Sequence, residues 1–215
     1  MDRSKGYNRA ARKLLHVAGG SFAFAVPFVP YWLGLIAAIG AMGLAYWLRP
    51  KHAWWLRYIS KPIDRKRNVI TGLRGYATVI LLLVLLWPLL EKIGIEDAKR
   101  YVMFGWLALA FGDGLAGLVG PGPTVARTVP WNRHKTWWGL MGCVAGVLAA
   151  HVISFGLPFP GLATLPWSIQ VESAGAIAAV VALLESLDLK ADDNYTVGLG
   201  APLLACVVHL LLVQA

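Results

Sequence analysis

Apolar residues run along this chain in blocks of about twenty, separated by short polar stretches. Seven such blocks stand at approximately 13–29, 31–48, 73–90, 101–120, 137–157, 169–187 and 195–213. Each is close to the ~20 residues that a helix needs to cross a bilayer. The pattern predicts an all-α integral membrane protein with seven transmembrane helices. The whole of 1–215 reads as a single polytopic domain, its N-terminal spans within 13–90 and a second group within 101–213. Pro27 and Pro30 mark a tight link between the first two spans, and Pro158 and Pro160 end the fifth. Between the second and third, 50–61 predicts a short interfacial helix. Pro50 suits a first turn, Trp54, Trp55 and Tyr58 suit headgroup depth, and Lys51, Arg57 and Lys61 suit anionic lipid.

Composition agrees. Hydrophobic residues make up 58% of the chain and charged ones 14%, with a mean hydropathy of +0.60. A soluble domain carries about 25% charged residues. No cleavable signal peptide is read at the start, and Cys143 and Cys206, both in apolar runs, predict no disulfide framework.

The net charge of +9 raises nucleic acid as a partner, but the cations sort by loop instead. Seventeen of the 20 Lys and Arg fall in the N-terminal segment and in the connections after the second, fourth and sixth spans. The opposite side holds Lys92, Lys99 and Arg100. The positive-inside rule then puts the N-terminus in the cytoplasm, and no nucleic-acid role is expected.

One residue breaks the apolar pattern. In YVMFGWLALAFGDGLAGLVG, from Tyr101 to Gly120, Asp113 is the only charge. A carboxylate at a helix centre costs ~2.5–3.5 kcal/mol on insertion scales, so it faces protein or a wet cavity and marks function. Gly112, Gly114, Gly117 and Gly120 surround it with little bulk. That face admits a polar ligand or another helix at close range.

The predicted topology gathers further polar groups at the cytoplasmic end. Arg12, Lys13 and His16 open the first span, and His134, Lys135 and Thr136 open the fifth. Glu185, Asp188, Asp192, Asp193 and Asn194 fill the turn before the seventh. Acids beside cations suit phosphoryl transfer, in which carboxylates hold Mg²⁺ and cations hold phosphate oxygens. Lys135 and Thr136 stand at a helix N-terminus, where backbone N–H groups favour an anion. One carboxylate could accept the acceptor hydroxyl's proton. The blander readings are topogenic charges for Arg12, Lys13 and Lys135, a helix cap for Asp193 or Asn194, and an interhelical ion pair for Asp113. His151 and His209, far from this end, read as interhelical hydrogen-bond partners.

The same residues resemble the polyprenol kinase family, which includes dolichol kinase, phytol kinase and the CTP-dependent diacylglycerol kinase. That family carries R-K-x-x-H, G-D, K-[ST]-x-x-G and E-S-L…D-D-N-x-T-V in order. Here stand Arg12-Lys13-Leu14-Leu15-His16, Gly112-Asp113, Lys135-Thr136-Trp137-Trp138-Gly139, and ESLDLKADDNYTVGL from Glu185 to Leu199. The last run is most similar to the phytol kinase branch. Trp138 occupies a position where the family usually has Glu, and Gly198 one where it often has Pro. Glu185 is the acid available to substitute for the former.

The resemblance implies a lipid kinase that transfers the γ-phosphate of CTP to an isoprenoid alcohol or diacylglycerol. Mg²⁺ is its cofactor, and the site lies on the cytoplasmic face of the cell membrane. It carries a catalytic role to Asp113 and Asp193, and nucleotide or phosphate binding to Arg12, Lys13, His16, Lys135, Thr136, Gly139 and Asn194. Metal binding goes to Asp113, Asp192 and Glu185. The expected partners are CTP, a lipid alcohol and the membrane, with a homodimer left open. A CTP-dependent phospholipid cytidylyltransferase is the alternative within enzymes. A transporter using Asp113 as an ion site is the alternative outside them, although only one span is interrupted by glycines.

Overall fold

The structure is a computed structural model that describes residues 7–120, 127–187 and 193–214. Asp188 and Asp192 lie outside the described residues, as does the side chain of Asp193. The described chain is almost wholly helical. Five helices are long and apolar enough to cross a membrane: Thr71–Lys92, Ala98–Val119, Trp137–Gly156, Trp167–Ser186 and Asn194–Val213. A sixth apolar helix, α2 (Tyr31–Trp47), is shorter, at about 25 Å for ~1.5 Å per residue. The fold is that of an all-α membrane protein.

The first expected span, 13–29, differs from a continuous α-helix. Helix α1 (Arg9–Gly19) starts where Asn8 Oδ1 accepts from the Ala11 amide at 2.8 Å. It gives way at Gly19-Gly20 to a 3₁₀ segment, Gly20–Phe28, that contains Pro27. Close packing makes Gly20 necessary, because a Cβ there would sit 2.4 Å from the Ala110 Cβ. The expected interfacial helix at 50–61 is also revised. Helix α3 spans Trp54–Ile59 and α4 spans Pro62–Arg67, so Pro62 rather than Pro50 opens a helix. Trp54, Trp55 and Tyr58 are exposed on α3, whereas Leu56 is buried.

Helix α5 (Thr71–Lys92) is capped by buried Asp64, whose Oδ1 accepts from Thr71 Oγ1 at 2.7 Å. The next span has three parts: α6 (Ala98–Leu107), a π-helical turn at Ala108–Asp113, and α7 (Gly114–Val119). It is the most enclosed of the long helices, with Val102, Met103, Phe104, Leu107 and Leu109 fully buried. Its apolar run therefore faces protein more than lipid. A short hairpin follows, β1 (Thr128–Val129) against β2 (Asn132–Thr136). Helix α8 (Trp137–His151) continues as a second π-helical turn, Val152–Gly156. Helices α9 (Trp167–Ser186) and α10 (Asp193–Gln214) complete the bundle.

Arg100, expected among the loop cations, is instead 2% exposed. Its guanidinium donates to the carbonyls of Ser154 at 2.5 Å, Leu157 at 3.2 Å and Leu162 at 2.9 Å. The first two carbonyls lie in or just after the second π-helical turn and the third in the loop beyond it, where the regular helical ladder is lost and buried acceptors need new donors.

Candidate active site

Two ion pairs face one another across a cavity at the end of the bundle where α1, α5 and α8 begin. Lys13 Nζ lies 2.7 Å from both carboxylate oxygens of Asp113 and 3.1 Å from its carbonyl. His16, one turn along α1, places Nε2 3.3 Å from Asp113 Oδ2 and 3.1 Å from the Leu109 carbonyl. The second pair joins Lys135 to Glu185, which is 4% exposed.

Local sequence explains how each group reaches its place. Asp113 closes the π-helical turn, a distortion that concentrates at functional sites. Gly117 makes room for Lys13, since a Cβ there would fall 2.1 Å from Lys13 Cε. Gly114 does the same for the Val17 side chain of α1, because a Cβ there would sit 2.4 Å from Val17 Cγ2. The glycines around Asp113 thus admit α1 at close range. Thr136 caps α8, accepting from the Gly139 amide at 3.1 Å while donating to the Gly120 carbonyl at 2.8 Å. Gly139 serves this junction, as a Cβ would sit 3.3 Å from the Ala116 carbonyl oxygen. The hairpin holds Lys135 opposite Glu185: Asn132 Nδ2 donates to the Ser186 carbonyl at 3.0 Å, and Trp131 Nε1 to Ser186 Oγ at 2.9 Å.

The cavity has a volume of about 770 Å³, within the range of small-molecule sites. Asp113, Glu185, Lys13, Lys135, Thr136 and Gly139 line it, together with Arg9, Arg12, Lys61 and His134. The two acids match the two lysines. Arg9, Arg12 and Lys61 remain without an ion-pair partner among the described residues. The lining therefore carries a surplus of positive charge and suits a polyanion. A second cavity of about 270 Å³ adjoins it, sharing Arg12, Lys13, Lys61 and Asp113 and adding His16, Tyr76, Asp64 and Asn194.

The sequence-predicted residues Arg12, Lys13, His16, Asp113, Lys135, Thr136, Gly139, Glu185 and Asn194 thus meet around two contiguous cavities. Sequence reasoning missed Arg9, Lys61, Asp64 and Tyr76. It also missed the hairpin, although Pro130 between Val129 and Trp131 is a turn signal. No group of three or more His, Cys, Asp or Glu side chains stands ready for a metal among the described residues. Two carboxylates on one cavity nevertheless fit Mg²⁺, which is usually bound through one or two carboxylates, several waters and substrate phosphates.

The site is that of a membrane protein with a cation-rich cavity set among its helix ends. Among known proteins, the chain is similar to a phytol kinase from Synechocystis sp., at 29% identity over 206 residues, covering 90% of this chain and 77% of the relative. No family model matches the chain, and no solved structure matches it.

Proposed function

We propose that the protein is a membrane-embedded lipid kinase that transfers the γ-phosphate of CTP to an isoprenoid alcohol of the phytol or polyprenol type. The observation that carries this reading is the cation-rich cavity that opens beside Asp113. Similarity to a phytol kinase supports it. The reading includes seven crossings, with the N-terminus and the cavity at the cytoplasmic face, as the loop charges favour. The 3₁₀ segment helps here: nine residues at ~2.0 Å each extend α1 by about 18 Å.

In this mechanism Arg9, Arg12 and Lys61 bind the nucleotide phosphates, and Lys13 and Lys135 exchange part of their carboxylate contact for phosphate oxygens. Asp113 and Glu185 would hold Mg²⁺, with Asp192 and Asp193 as the further acids that the sequence offers. The ion would neutralise charge on the transferring group. The alcohol oxygen forms a bond to the γ-phosphorus as the bond from that phosphorus to its bridging oxygen breaks, and CDP leaves. The hydroxyl proton passes to the His16 imidazole, which Asp113 and the Leu109 carbonyl orient through Nε2.

Purified protein in detergent, given γ-labelled CTP or ATP and a panel of lipid alcohols, provides the test. Label appearing in the lipid supports the kinase, and preference for CTP supports the nucleotide. Pyrophosphate release with CMP in the lipid would instead establish a cytidylyltransferase. Absence of any lipid product would overturn the reading.

A further inference from the structure

An apolar groove of about 430 Å³ runs along α2, the 3₁₀ segment and α5. Its lining is hydrocarbon apart from Tyr76 and the two indole nitrogens of Trp87 and Trp106. Those nitrogens are occupied: Trp87 Nε1 donates to Glu91 at 2.6 Å, and Trp106 Nε1 donates to the Tyr76 hydroxyl at 2.8 Å. On α2 the wall is recessed by Gly34, Ala37, Ala38, Ala41 and Ala45, small residues on one helical face. Such stripes usually bring helices into full contact. Here α2 packs on α5 and the recess remains open.

The groove adjoins the polar site through shared walls. Gly19, Leu73 and Tyr76 line both the groove and the second cavity, and Asp113 and Lys13 line both the second cavity and the main one. Tyr76 stands at the junction. Its ring meets His16 edge-on at 4.5 Å between centroids, and its oxygen already accepts from Trp106. Among the described residues its O–H has no acceptor. From Tyr76 the groove follows α5 to Trp87, eleven residues or roughly 16 Å at ~1.5 Å per residue.

We infer that this groove seats the hydrocarbon tail of the lipid alcohol, with Tyr76 donating to the alcohol oxygen where the tail meets the His16–Asp113 cavity. The inference rests on the kinase reading for the fate of the hydroxyl, but the groove itself can be tested without catalysis. A long apolar tail gains from burial along its whole length, and a polar end group then has one place to emerge. Annular lipid would cover the groove from the side but would not be drawn to Tyr76.

The experiment uses full-length protein in nanodiscs with a diazirine-bearing isoprenoid alcohol and, separately, a diazirine-bearing phospholipid. Crosslinks mapped by mass spectrometry are expected on α2 and α5 around Ala37, Ala41 and Val84, competed by unlabelled isoprenoid alcohol but not by phospholipid. Ala37 and Ala41 are exposed, so Ala41→Trp fills the groove without overpacking the core. It should abolish those crosslinks and raise KM for the long alcohol by about tenfold or more, leaving a short water-soluble alcohol unaffected. Tyr76→Phe should keep the crosslinks and lower kcat. Uncompeted crosslinks spread evenly over the outer helix faces would overturn the inference. So would long-alcohol kinetics in Ala41→Trp equal to wild type, while leaving the kinase reading intact. Groove crosslinks without any phosphate transfer would keep the groove and remove the kinase.

Discussion

The bundle holds polar clusters at two depths, and each lies beside a π-helical turn. At the basic end, Lys13, His16 and Asp113 surround the turn at Ala108–Asp113 and open on a cavity whose cations outnumber its acids among the described residues. Toward the other end, His151 precedes the turn at Val152–Gly156 and hydrogen-bonds His209, Nε2 to Nε2, at 3.2 Å. Ser173 Oγ joins both imidazoles at 3.2–3.3 Å, and Tyr101 reaches His209 Nδ1 at 3.2 Å. Arg100 plugs the carbonyls beyond. That second cluster is closed: His151 and Ser173 are 0% exposed and His209 is 2% exposed. Buried polarity is common to both clusters. What separates them is access to water and a surplus of one sign of charge. The closed cluster fastens helices, whereas the open one can bind a charged ligand.

The largest expected effect comes from Asp113. Asp113→Asn leaves Lys13 buried with a charge and no carboxylate, which costs about 3–5 kcal/mol in comparable pairs. It also removes the group that orients His16, so kcat should fall by at least ~100-fold. The stability loss alone would mimic this, and a double variant separates the two causes. Lys13→Met with Asp113→Asn removes both charges and should regain most of the thermal stability in detergent without regaining turnover. Recovery of activity along with stability would reduce Asp113 to a helix fastener, like the histidine pair at the other end.

Much of this arrangement was legible from residue order. Apolar block length marks the long helices, and the lone carboxylate among glycines marks the site. Packing that depends on tertiary contact was not legible. The glycines at 114 and 117 announce close approach, but only the fold shows that the approaching group is α1, carrying Lys13 to Asp113. Arg100 reads as a loop cation because burying a guanidinium depends on three carbonyls from a distant π-helical turn and loop. The break of the first span at Gly19-Gly20 escaped block counting because hydropathy does not distinguish α from 3₁₀ winding. The hairpin escaped because its strands are two and five residues long. Tyr76 was hidden inside an ordinary apolar run.

A smaller effect is expected at the rim of the open cavity. Arg12→Gln and Lys61→Gln each remove one of the unmatched cations, and neither residue makes an ion pair among the described residues. Each should raise KM for the nucleotide several-fold and change the unfolding free energy by no more than about 0.5 kcal/mol, the ordinary surface range. Added salt should weaken nucleotide binding in the wild type, and less so in the double variant, because screened charges contribute less when fewer remain. An unchanged salt dependence would mean that the surplus charge does not meet the substrate.

The smallest effect tests the closed cluster. Ser173 Oγ donates to the Ile169 carbonyl at 2.6 Å and so accepts from whichever of the two imidazoles carries its proton on Nε2. Ser173→Ala removes that acceptor from α9 but leaves His151 and His209 in contact across α8 and α10. Interhelical hydrogen bonds of this kind average ~0.6 kcal/mol and reach ~1.7 kcal/mol. Ser173→Ala should therefore lower the unfolding free energy by about that amount, with kcat and KM unchanged. An order-of-magnitude fall in kcat at wild-type stability would couple the closed cluster to the reaction, and the division between fastening and chemistry would fail. The geometry favours independence: His151 lies at the far end of α8 from Lys135 and Thr136, fourteen helix positions from the Trp137 start, about 21 Å at ~1.5 Å per residue.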